Sequence, residues 1–300
     1  LNGCCYYSLG GYTLASLYLL KNPHILHKRK CVSFYCTHIS HRGGCGERIE
    51  STMEAFTHAV AQGTQMLELD CHLTRDGYVV VSHDENLLRQ TGHDITISSV
   101  SIQDLPLYKE RLELTFYQGH YSSGSDRKFT LLEDVFRKFP EIPISIEIKE
   151  NNDQLIEKVS ELVKRYHREE ITVWASVNSN ILSKCRQTNG AMPYSFSLSR
   201  GVLLLLLFYS GLLPFVPLGE SLLQFYLPRI MNRWRAGLLL TMRKSLFKHL
   251  AARGIQVHLF VCNTDEDIRA AFEAGATGVM SDYPSLLSNY LLRNTREEST

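Results

Sequence analysis

The sequence predicts an α/β protein built as a (β/α)8 barrel of the TIM type. Two observations lead to this fold class. Short β-branched runs alternate with amphipathic helical stretches, which is the pattern of parallel strands joined by crossover helices. The 300 residues also suit one barrel of about 250 residues with additions. A content of 44% hydrophobic and 21% charged residues indicates a chain that buries a core, and it excludes intrinsic disorder.

Eight apolar runs are predicted to form the barrel strands, at residues 37–41, 66–73, 78–82, 144–148, 171–175, 194–198, 256–262 and 277–280. Helices are predicted at residues 52–62, 155–166, 246–253 and 266–274. Residues 74–77 are too few for a helix, so the second and third strands are expected to be joined by a tight turn at Asp76 and Gly77. Residues 84–143 are too many for one helix, which predicts an inserted subdomain after the third strand.

Charge and cysteine content exclude two other classes of protein. The 32 Lys and Arg residues against 31 Asp and Glu residues leave no basic excess for a nucleic acid backbone. The 8 cysteines include no CxxC pair, so neither a zinc site nor a disulfide framework is indicated. We interpret them as ordinary thiols in a reducing compartment, and no protein partner is indicated.

The first apolar segment, residues 4–20, carries no charge and is followed at once by Lys21 and a cluster of further basic residues. This order predicts a membrane anchor with a basic stop and places the later residues on the cytosolic side. A cleaved signal peptide and a buried helix are the alternatives. The predicted domains are the anchor and basic linker (1–36), the barrel (37–290) and a polar tail (291–300).

The second apolar segment, residues 201–218, is also uncharged and contains Pro214 and Pro217. It predicts an apolar insertion after the sixth strand, in the form of a hairpin or lid that dips into the bilayer interface. A second spanning helix is the alternative, but it would divide the barrel between two sides of the membrane. We expect this segment to contact the bilayer near the mouth of the barrel and to guide an acyl chain toward the site.

Carboxylates on two predicted strands indicate a metal site. Glu68 and Asp70 alternate with apolar residues and therefore share one strand face. Glu147 ends a later β-branched strand and provides a third carboxylate. Because an all-oxygen set suits a hard ion, the cofactor is predicted to be one divalent cation, Ca²⁺ or Mg²⁺. Lys149 is either a solvated strand end or a substrate phosphate-binding residue.

Two histidines follow predicted strands at the rim where barrel active sites form. His41 ends the first strand and His83 ends the third. Imidazoles titrate near neutral pH, so this pair suits general acid and base catalysis. Arg42 is predicted to bind a substrate phosphate, with the glycines behind it allowing close approach of the backbone. Glu50 is either a charge at a helix N-terminus or a ligand.

These motifs together resemble one known family. HRGGCGERIESTMEAF, LELDCHLTRDGYVVVSHDENL, ISIEIK and GVMSDYP are similar to the glycerophosphodiester phosphodiesterase family over about residues 37–290. The resemblance implies a (β/α)8 barrel in which His41 and His83 act as general acid and base. It also implies that Glu68, Asp70 and Glu147 hold the cation, with His83 a further possible ligand, and that Arg42 contacts phosphate.

The uncharged N-terminal segment with SHDENL, DLPLYKERLEL, WAS and LLPFVP resembles the membrane-bound lysophospholipase D branch of that family. This implies a lysophospholipid substrate, including N-acyl forms, and a membrane location at the endoplasmic reticulum or near the nucleus. A phosphodiesterase for water-soluble glycerophosphodiesters and an inactive membrane scaffold are the alternatives. Cys45, Phe260 and a short stretch at residues 231–241 depart from the family pattern.

Overall fold

The computed structural model describes residues 2–226 and 241–297. Its strands are β1 (His38–Ser40), β2 (Met66–Leu73), β3 (Val79–Val81), β4 (Arg111–Glu113), β5 (Tyr121–Ser123), β6 (Thr130–Leu131), β7 (Ile144–Glu147), β8 (Thr172–Ala175), β9 (Leu222–Tyr226), β10 (Gln256–Phe260) and β11 (Gly278–Ser281). Its α-helices are α1 (Asn2–Lys21), α2 (Met53–Ala61), α3 (Leu88–Thr91), α4 (Leu132–Lys138), α5 (Asp153–Arg165), α6 (Ser179–Thr188), α7 (Leu198–Tyr209), α8 (Lys244–Ala252), α9 (Asp265–Glu273) and α10 (Pro284–Glu297).

Parallel strands form a closed ring at the centre of the molecule. β1 pairs with β2, β2 with β7, and β7 with β8. On the other side β9 pairs with β10, β10 with β11, and β11 with β1. Tyr194 and Ser195 complete the ring, because Tyr194 bridges to Trp174 in β8 and Ser195 bridges to Leu222 in β9. The α/β class and the parallel barrel predicted from the sequence are confirmed.

One of the eight predicted barrel strands is misplaced, and one strand of the barrel was not predicted. The run at residues 78–82 forms β3, which pairs antiparallel with the outer end of β2 and lies outside the ring. Its place in the count is taken by β9, which was not predicted because its residues directly follow a long apolar segment. The turn predicted at Asp76 and Gly77 is confirmed, and Gly77 has a φ of +86° there.

The inserted region after β3 packs onto the barrel. It contains α3, a β4–β5 hairpin, β6 and α4. Tyr108 and Leu112 pack with Ile49 in a small buried cluster, and Leu87 and Ile97 pack with Val80 in another. The predicted insertion is therefore present as a covering of the barrel, and the turn between β4 and β5 brings Phe116 to the carboxyl ends of the barrel strands.

Four helices around the ring start at polar side-chain caps. The hydroxyl of Thr52 accepts a hydrogen bond from the Ala55 amide at the start of α2. Asn152, Asn178 and Thr264 cap α5, α6 and α9 in the same way. Each cap satisfies an amide that has no partner within its helix.

The N-terminal segment forms α1, which docks on the barrel exterior. Ser16 Oγ donates to the Gly211 carbonyl at 2.6 Å, and Tyr12 Oη donates to the Ser210 carbonyl at 2.6 Å. Within residues 2–226 and 241–297, no helix is both long and apolar enough to cross a bilayer. The membrane anchor predicted at residues 4–20 stays a prediction, and the segment forms most of α1.

Residues 201–218 do not form the predicted hairpin or lid. They form most of α7 and a 3-10 turn at Leu213–Phe215, and they connect Ser195 to β9 as a regular part of the barrel rather than as an insertion. Leu204 and Leu213 are buried with Leu250 of α8. Because residues 210–218 lead into a strand, they lie at the amino-terminal end of the barrel, so the predicted position near the mouth is wrong for them.

Two further predictions concern residues 231–241 and the C-terminal tail. The short stretch predicted at residues 231–241 lies, except for Thr241, outside the described residues. Helix α10 continues past the predicted start of the polar tail at residue 291.

Candidate active site

Three carboxylates meet at the carboxyl ends of two neighbouring strands. β2 and β7 are paired in register, with Asp70 opposite Glu147 and Glu68 opposite Ser145. Side chains alternate along a strand, so Glu68 and Asp70 project to the same side of β2. Glu68, Asp70 and Glu147 each present an oxygen within 4.8 Å of the other two. The structure thus brings together the three residues that the sequence predicted as ligands.

The negative charges of these three carboxylates repel one another. Burial and then the Asp70 charge raise the pKa of Glu147 to about 7. Burial and Asp70 also raise the pKa of Glu68. Burial alone would raise the pKa of Asp70 as well, but the Lys149 ammonium, His83 and Arg42 lower it. A negative charge is therefore most stable on Asp70 and is costly on its two neighbours.

The cluster fits a hard divalent cation. Asp70 is 1% exposed, and among the described residues its Oδ1 contacts only the Lys149 ammonium while its Oδ2 has no hydrogen-bond partner. Buried carboxylate oxygens without donors are costly unless a cation neutralises them. Three converging oxygen ligands match the preference of Ca²⁺ and Mg²⁺. His83, predicted as a possible fourth ligand, is not part of this cluster of ligand atoms.

Lys149 lies beside the same cluster. Its Nζ atom is 2.6 Å from Oδ1 of Asp70, and its side chain is 31% exposed. Lys149 is thus neither a freely solvated strand end nor remote from the site, because its ammonium group balances one of the three carboxylates.

His41 is held by a carboxylate that the sequence did not predict. Its Nδ1 lies 2.6 Å from Oδ1 of Asp282, which follows β11 and is 1% exposed. Nδ2 of Asn263 donates to the other Asp282 oxygen at 2.7 Å, and Sγ of Cys45 donates to Oδ1 at 2.9 Å. The second ring nitrogen of His41, Nε2, is 4.0 Å from Oε2 of Glu68. Asp282 therefore orients His41 so that Nε2 faces the carboxylate cluster.

His83 has a carboxylate partner of its own. Its Nδ1 lies 2.6 Å from Oδ1 of Asp84, and Nε of Arg89 donates to Oδ2 of Asp84 at 2.7 Å. Burial lowers the pKa of His83, and the nearby positive charges of Arg42 and Lys149 lower it further, although Asp84 opposes them. The ring is thus favoured in its neutral form. Both predicted catalytic histidines reach the rim, each with an acidic partner.

Arg42 and Glu50 form a buried ion pair next to His41. Nη1 of Arg42 donates to Oε2 of Glu50 at 3.3 Å, and the Arg42 amide donates to Oε2 of Glu68 at 3.0 Å. Glu50 also accepts from Arg89 and from Gln90. Burial opposes ionisation, but Arg42 and Arg89 lower the pKa of Glu50 to about 2. Glu50 is therefore neither a helix N-terminal charge nor a member of the carboxylate cluster, since it holds two arginines in place.

The backbone behind Arg42 is tightly constrained. Arg42 has a left-handed conformation with φ of 48°, and Gly43 and Gly44 follow with φ of 78° and 85°. A Cβ on Gly43 would lie 2.7 Å from the Phe56 ring, and one on Gly44 would lie 2.6 Å from Pro284. The two glycines are required by this packing and backbone geometry, whereas the sequence predicted close approach to a phosphate.

Aromatic side chains line one side of the site. The Phe116 ring packs edge-on against His41 with 5.5 Å between centroids, and Cζ of Arg42 lies 5.9 Å from its centroid. Phe116 also contacts Tyr226 of β9, and Tyr226 contacts Phe260 of β10. We call Phe116, Tyr226 and Phe260 the aromatic wall. It places an apolar surface directly beside His41, a predicted catalytic histidine.

Asp282, Asp84 and Phe116 were not predicted as site residues from the sequence. Asp282 lies within the motif GVMSDYP, and its place after the last strand was a usable signal. Asp84 directly follows His83 in the sequence, and this adjacency was a second usable signal. Nothing in the sequence placed Phe116, because its position depends on how the β4–β5 hairpin folds over the barrel.

Comparison with known proteins identifies relatives of this chain. The sequence model of the glycerophosphoryl diester phosphodiesterase family matches residues 41–286. Lysophospholipase D GDPD1 of Homo sapiens is 50% identical over 299 residues, covering 95% of each chain. Lysophospholipase D GDPD3 of Homo sapiens is 47% identical over 303 residues, covering 95% of this chain and 94% of its own. Within this branch the motifs SHDENL, DLPLYKERLEL, WAS and LLPFVP predict greater likeness to the type three member, but identities of 50% and 47% do not separate the two types.

Solved structures agree with the fold. A putative glycerophosphoryl diester phosphodiesterase from Silicibacter pomeroyi superposes with a TM-score of 0.65 at 19% identity, covering 89% of this chain and 96% of its own. An Oleispira antarctica phosphodiesterase in complex with the product sn-glycerol-3-phosphate superposes with a TM-score of 0.63 at 19% identity, covering 86% and 98%. At such identities the likeness concerns the fold. The sequence relatives and the family match carry the assignment, and the chain belongs to the glycerophosphoryl diester phosphodiesterase family.

Proposed function

We propose that this phosphoric diester hydrolase acts as a lysophospholipase D, which cleaves lysophospholipids on the headgroup side. The products are lysophosphatidic acid and the headgroup alcohol, such as choline, ethanolamine or an N-acyl ethanolamine. The observation that carries this choice is the aromatic wall next to His41, since an apolar surface at the reacting centre suits a lipid. Two human relatives that match nearly the whole chain are both lysophospholipase D enzymes by name, which supports this choice.

Different residues of the site act on the substrate phosphate in different ways. Glu68, Asp70 and Glu147 would hold the divalent cation, Ca²⁺ or Mg²⁺, which supplies positive charge for the phosphoryl oxygens when bound. Arg42 and Lys149 add two fixed positive charges at the same end of the barrel. Because Glu50 fixes the Arg42 guanidinium, that charge is preorganised for the transition state.

The two histidines would carry the protons. One accepts the proton of the attacking hydroxyl, and the other donates a proton to the oxygen of the departing headgroup alcohol. In a lysophospholipid the free glycerol hydroxyl next to the phosphate can itself form the new P–O bond while the bond to the headgroup breaks. Water then opens the resulting cyclic phosphate, with the two histidines exchanging roles.

Contact with a bilayer is part of the proposal. Leu14 and Leu17 of α1 and Leu206, Leu212 and Phe215 of the α7 region are exposed apolar side chains. Such a surface suits insertion into the interface without a spanning helix. A location at the endoplasmic reticulum or near the nucleus follows from the resemblance to membrane-bound lysophospholipase D enzymes.

The test compares two substrates in one assay. Purified enzyme with Mg²⁺ or Ca²⁺ is incubated with 1-oleoyl lysophosphatidylcholine and, separately, with glycerophosphocholine, and products are measured by mass spectrometry. We expect lysophosphatidic acid and choline to form at least about tenfold faster than glycerol phosphate. A reversed preference would favour a phosphodiesterase for water-soluble substrates, and no turnover of either with either metal would favour an inactive scaffold.

A further inference from the structure

A groove of about 690 Å³ lies between α1, the turn after α7 and helix α8. The turn leads into β9 and the end of α8 leads into β10, so this part of the groove lies toward the amino-terminal end of the barrel. The catalytic carboxylates lie at the carboxyl ends of the strands. The groove is therefore a separate site, and its volume falls within the range of ordinary small-molecule pockets.

The lining of this groove combines apolar and cationic side chains. Leu17, Leu20 and Phe208 contribute apolar surface. Lys21 and Lys248 also line the groove, and both side chains are exposed. A ligand that satisfies both kinds of side chain has an apolar chain and an anionic head.

His249 adds a more specific requirement. It lines the groove and is 2% exposed, and its Nδ1 lies 2.8 Å from the Leu20 carbonyl oxygen. Since a carbonyl oxygen only accepts, Nδ1 carries the proton. Burial lowers the pKa of His249, and the nearby Arg253 and His27 lower it further, so the ring is neutral. Nε2 is then a buried acceptor without a partner in the described structure, and a small rotation of the ring brings it within reach of a ligand in the groove.

A buried acceptor without a partner is costly, and a ligand with a donor relieves that cost. The glycerol of a lysophospholipid carries a free hydroxyl close to its phosphate. A diacyl phosphatidic acid has no such hydroxyl on its glycerol, and a monoacylglycerol has no anionic group for the lysines. The chemistry of the lining thus favours a lysophospholipid over a diacyl phosphatidic acid and over a monoacylglycerol.

Apart from the His249 ring, the walls of the groove are preformed. The hydrogen bonds from Ser16 to the Gly211 carbonyl and from Tyr12 to the Ser210 carbonyl hold α1 against the turn, and the Tyr12 ring stacks on Phe215. A preformed pocket loses little entropy when a ligand enters.

We propose that this groove binds one lysophospholipid molecule, with its acyl chain along Leu17 and Phe208, its phosphate at Lys21 and Lys248, and its glycerol hydroxyl donating to Nε2 of His249. The molecule belongs to the same class as the substrate and product of the proposed function, on which this inference partly rests. The site is not catalytic. It holds such a lipid at the end of the barrel opposite the carboxylates.

The test uses the full chain and a lysophosphatidic acid probe with a photoactivatable diazirine in its acyl chain, in buffer with excess chelator so that no turnover occurs. Cross-linked peptides are mapped by mass spectrometry, and affinity is measured by competition with unlabelled 1-oleoyl lysophosphatidic acid. We expect one probe per chain, attached to peptides of α1 and the turn after α7. Ser245→Trp, which fills the groove from an exposed position, should abolish this attachment.

Charge and hydroxyl recognition are tested separately. Lys21→Ala with Lys248→Ala should weaken binding about tenfold, whereas Lys244→Ala, an exposed lysine on α8 that does not line the groove, should leave it unchanged. His249→Phe should remove the preference for lysophosphatidic over diacyl phosphatidic acid. If His249→Phe fails to fold, Ser245→Trp and the lysine pair decide the matter.

Three outcomes would overturn the inference. One is cross-linking that Ser245→Trp leaves intact. Another is attachment confined to peptides that contain Phe116 or Tyr226, and a third is a groove cross-linked to a second copy of the chain. Failure of the proposed function is distinguishable, because a protein that binds the probe in the groove but does not cleave lysophosphatidylcholine with either metal counts against that function alone.

Discussion

Asp282 and His41 lie 241 residues apart in the sequence and 2.6 Å apart in space, between Oδ1 and Nδ1. A carboxylate on Nδ1 fixes the tautomer and the direction of the imidazole ring, and it stabilises the ring when it is protonated. Cys45 and Asn263 hold Asp282 in turn. The first strand of the barrel thus supplies the histidine, and the loop after the last strand positions it.

Asp282→Asn should lower kcat by about 10²-fold or more, because an amide can present a donor to His41 and so favour the wrong tautomer. KM should change little, since Asp282 lies behind the histidine. Steady-state kinetics with lysophosphatidylcholine provide the measurement. Asp265→Asn, an exposed acid at the start of α9, is the matched control. A kcat for Asp282→Asn equal to that of the control would remove Asp282 from any positioning role.

The carboxylate cluster predicts a stability change on metal binding. Mg²⁺ or Ca²⁺ should raise the melting temperature of the wild-type protein, because a ligand that binds only the folded state stabilises it. Glu147→Gln should reduce or remove this shift and abolish turnover. Without metal its melting temperature should equal or exceed that of wild type, since the substitution removes one of three like charges.

Glu141→Gln, which changes an exposed acid before β7, serves as the control for that experiment. A metal-dependent shift that is the same in wild type and Glu147→Gln would show that the cation binds elsewhere. The ion that gives the larger shift at equal concentration identifies the preferred metal.

Glu50 should make stability depend on pH. Its folded-state pKa of about 2 lies below the value of about 4.3 for an unperturbed Glu, so its contribution is fully present above the unfolded pKa. The contribution decreases as pH falls toward the folded pKa. Glu50→Gln should therefore destabilise the protein by roughly 3–5 kcal/mol at pH 7, because Arg42 loses a buried partner, and by less at pH 3.

Urea denaturation of wild type and Glu50→Gln at the two pH values measures this difference. Glu110→Gln is the control, because Glu110 also pairs with an arginine but its side chain is 86% exposed. The same loss of unfolding free energy at pH 7 and pH 3 would contradict the low pKa of Glu50.

Phe116→Ala tests whether the aromatic wall contacts the lipid. Removing the ring should reduce kcat/KM for 1-oleoyl lysophosphatidylcholine about tenfold and for glycerophosphocholine much less, since the small polar substrate has no chain to place there. Tyr121→Ala, on the exposed side of the same hairpin, is the control. Equal losses on both substrates would mean that Phe116 acts on His41 or Arg42 rather than on the acyl chain.

The parts of the fold and site that depend on local pattern could be predicted from the sequence. Glu68, Asp70 and Glu147 were predictable because strand alternation fixes their side, and parallel pairing brings their strand ends together. Asp282 and Phe116 depend on long-range packing, which no local pattern records. The extra strand β3 was misplaced for a related reason, because an apolar run of strand length does not indicate whether its pairing is parallel or antiparallel.

Neighbouring positions in the α7 region differ in burial, so that core packing and membrane contact can be tested separately there. Leu204 is 2% exposed and packs in the core, whereas Leu206 is 63% exposed and Phe215 is 40% exposed. Leu204→Ser should therefore destabilise the protein by roughly 2–5 kcal/mol and impair every activity. Leu206→Ser with Phe215→Ser should leave the free energy of unfolding nearly unchanged.

If the exposed leucine and phenylalanine insert into a bilayer, the double variant should bind phospholipid vesicles less tightly than wild type in a sedimentation assay. Each exposed apolar side chain contributes to partitioning in proportion to the area that leaves water, so a loss of about tenfold is expected for two. Hydrolysis of glycerophosphocholine in solution should persist, because residues 210–218 lie at the end of the barrel away from Glu68 and Asp70. Vesicle binding equal to wild type would show that this surface does not contact lipid, and would leave α1 as the surface to test next.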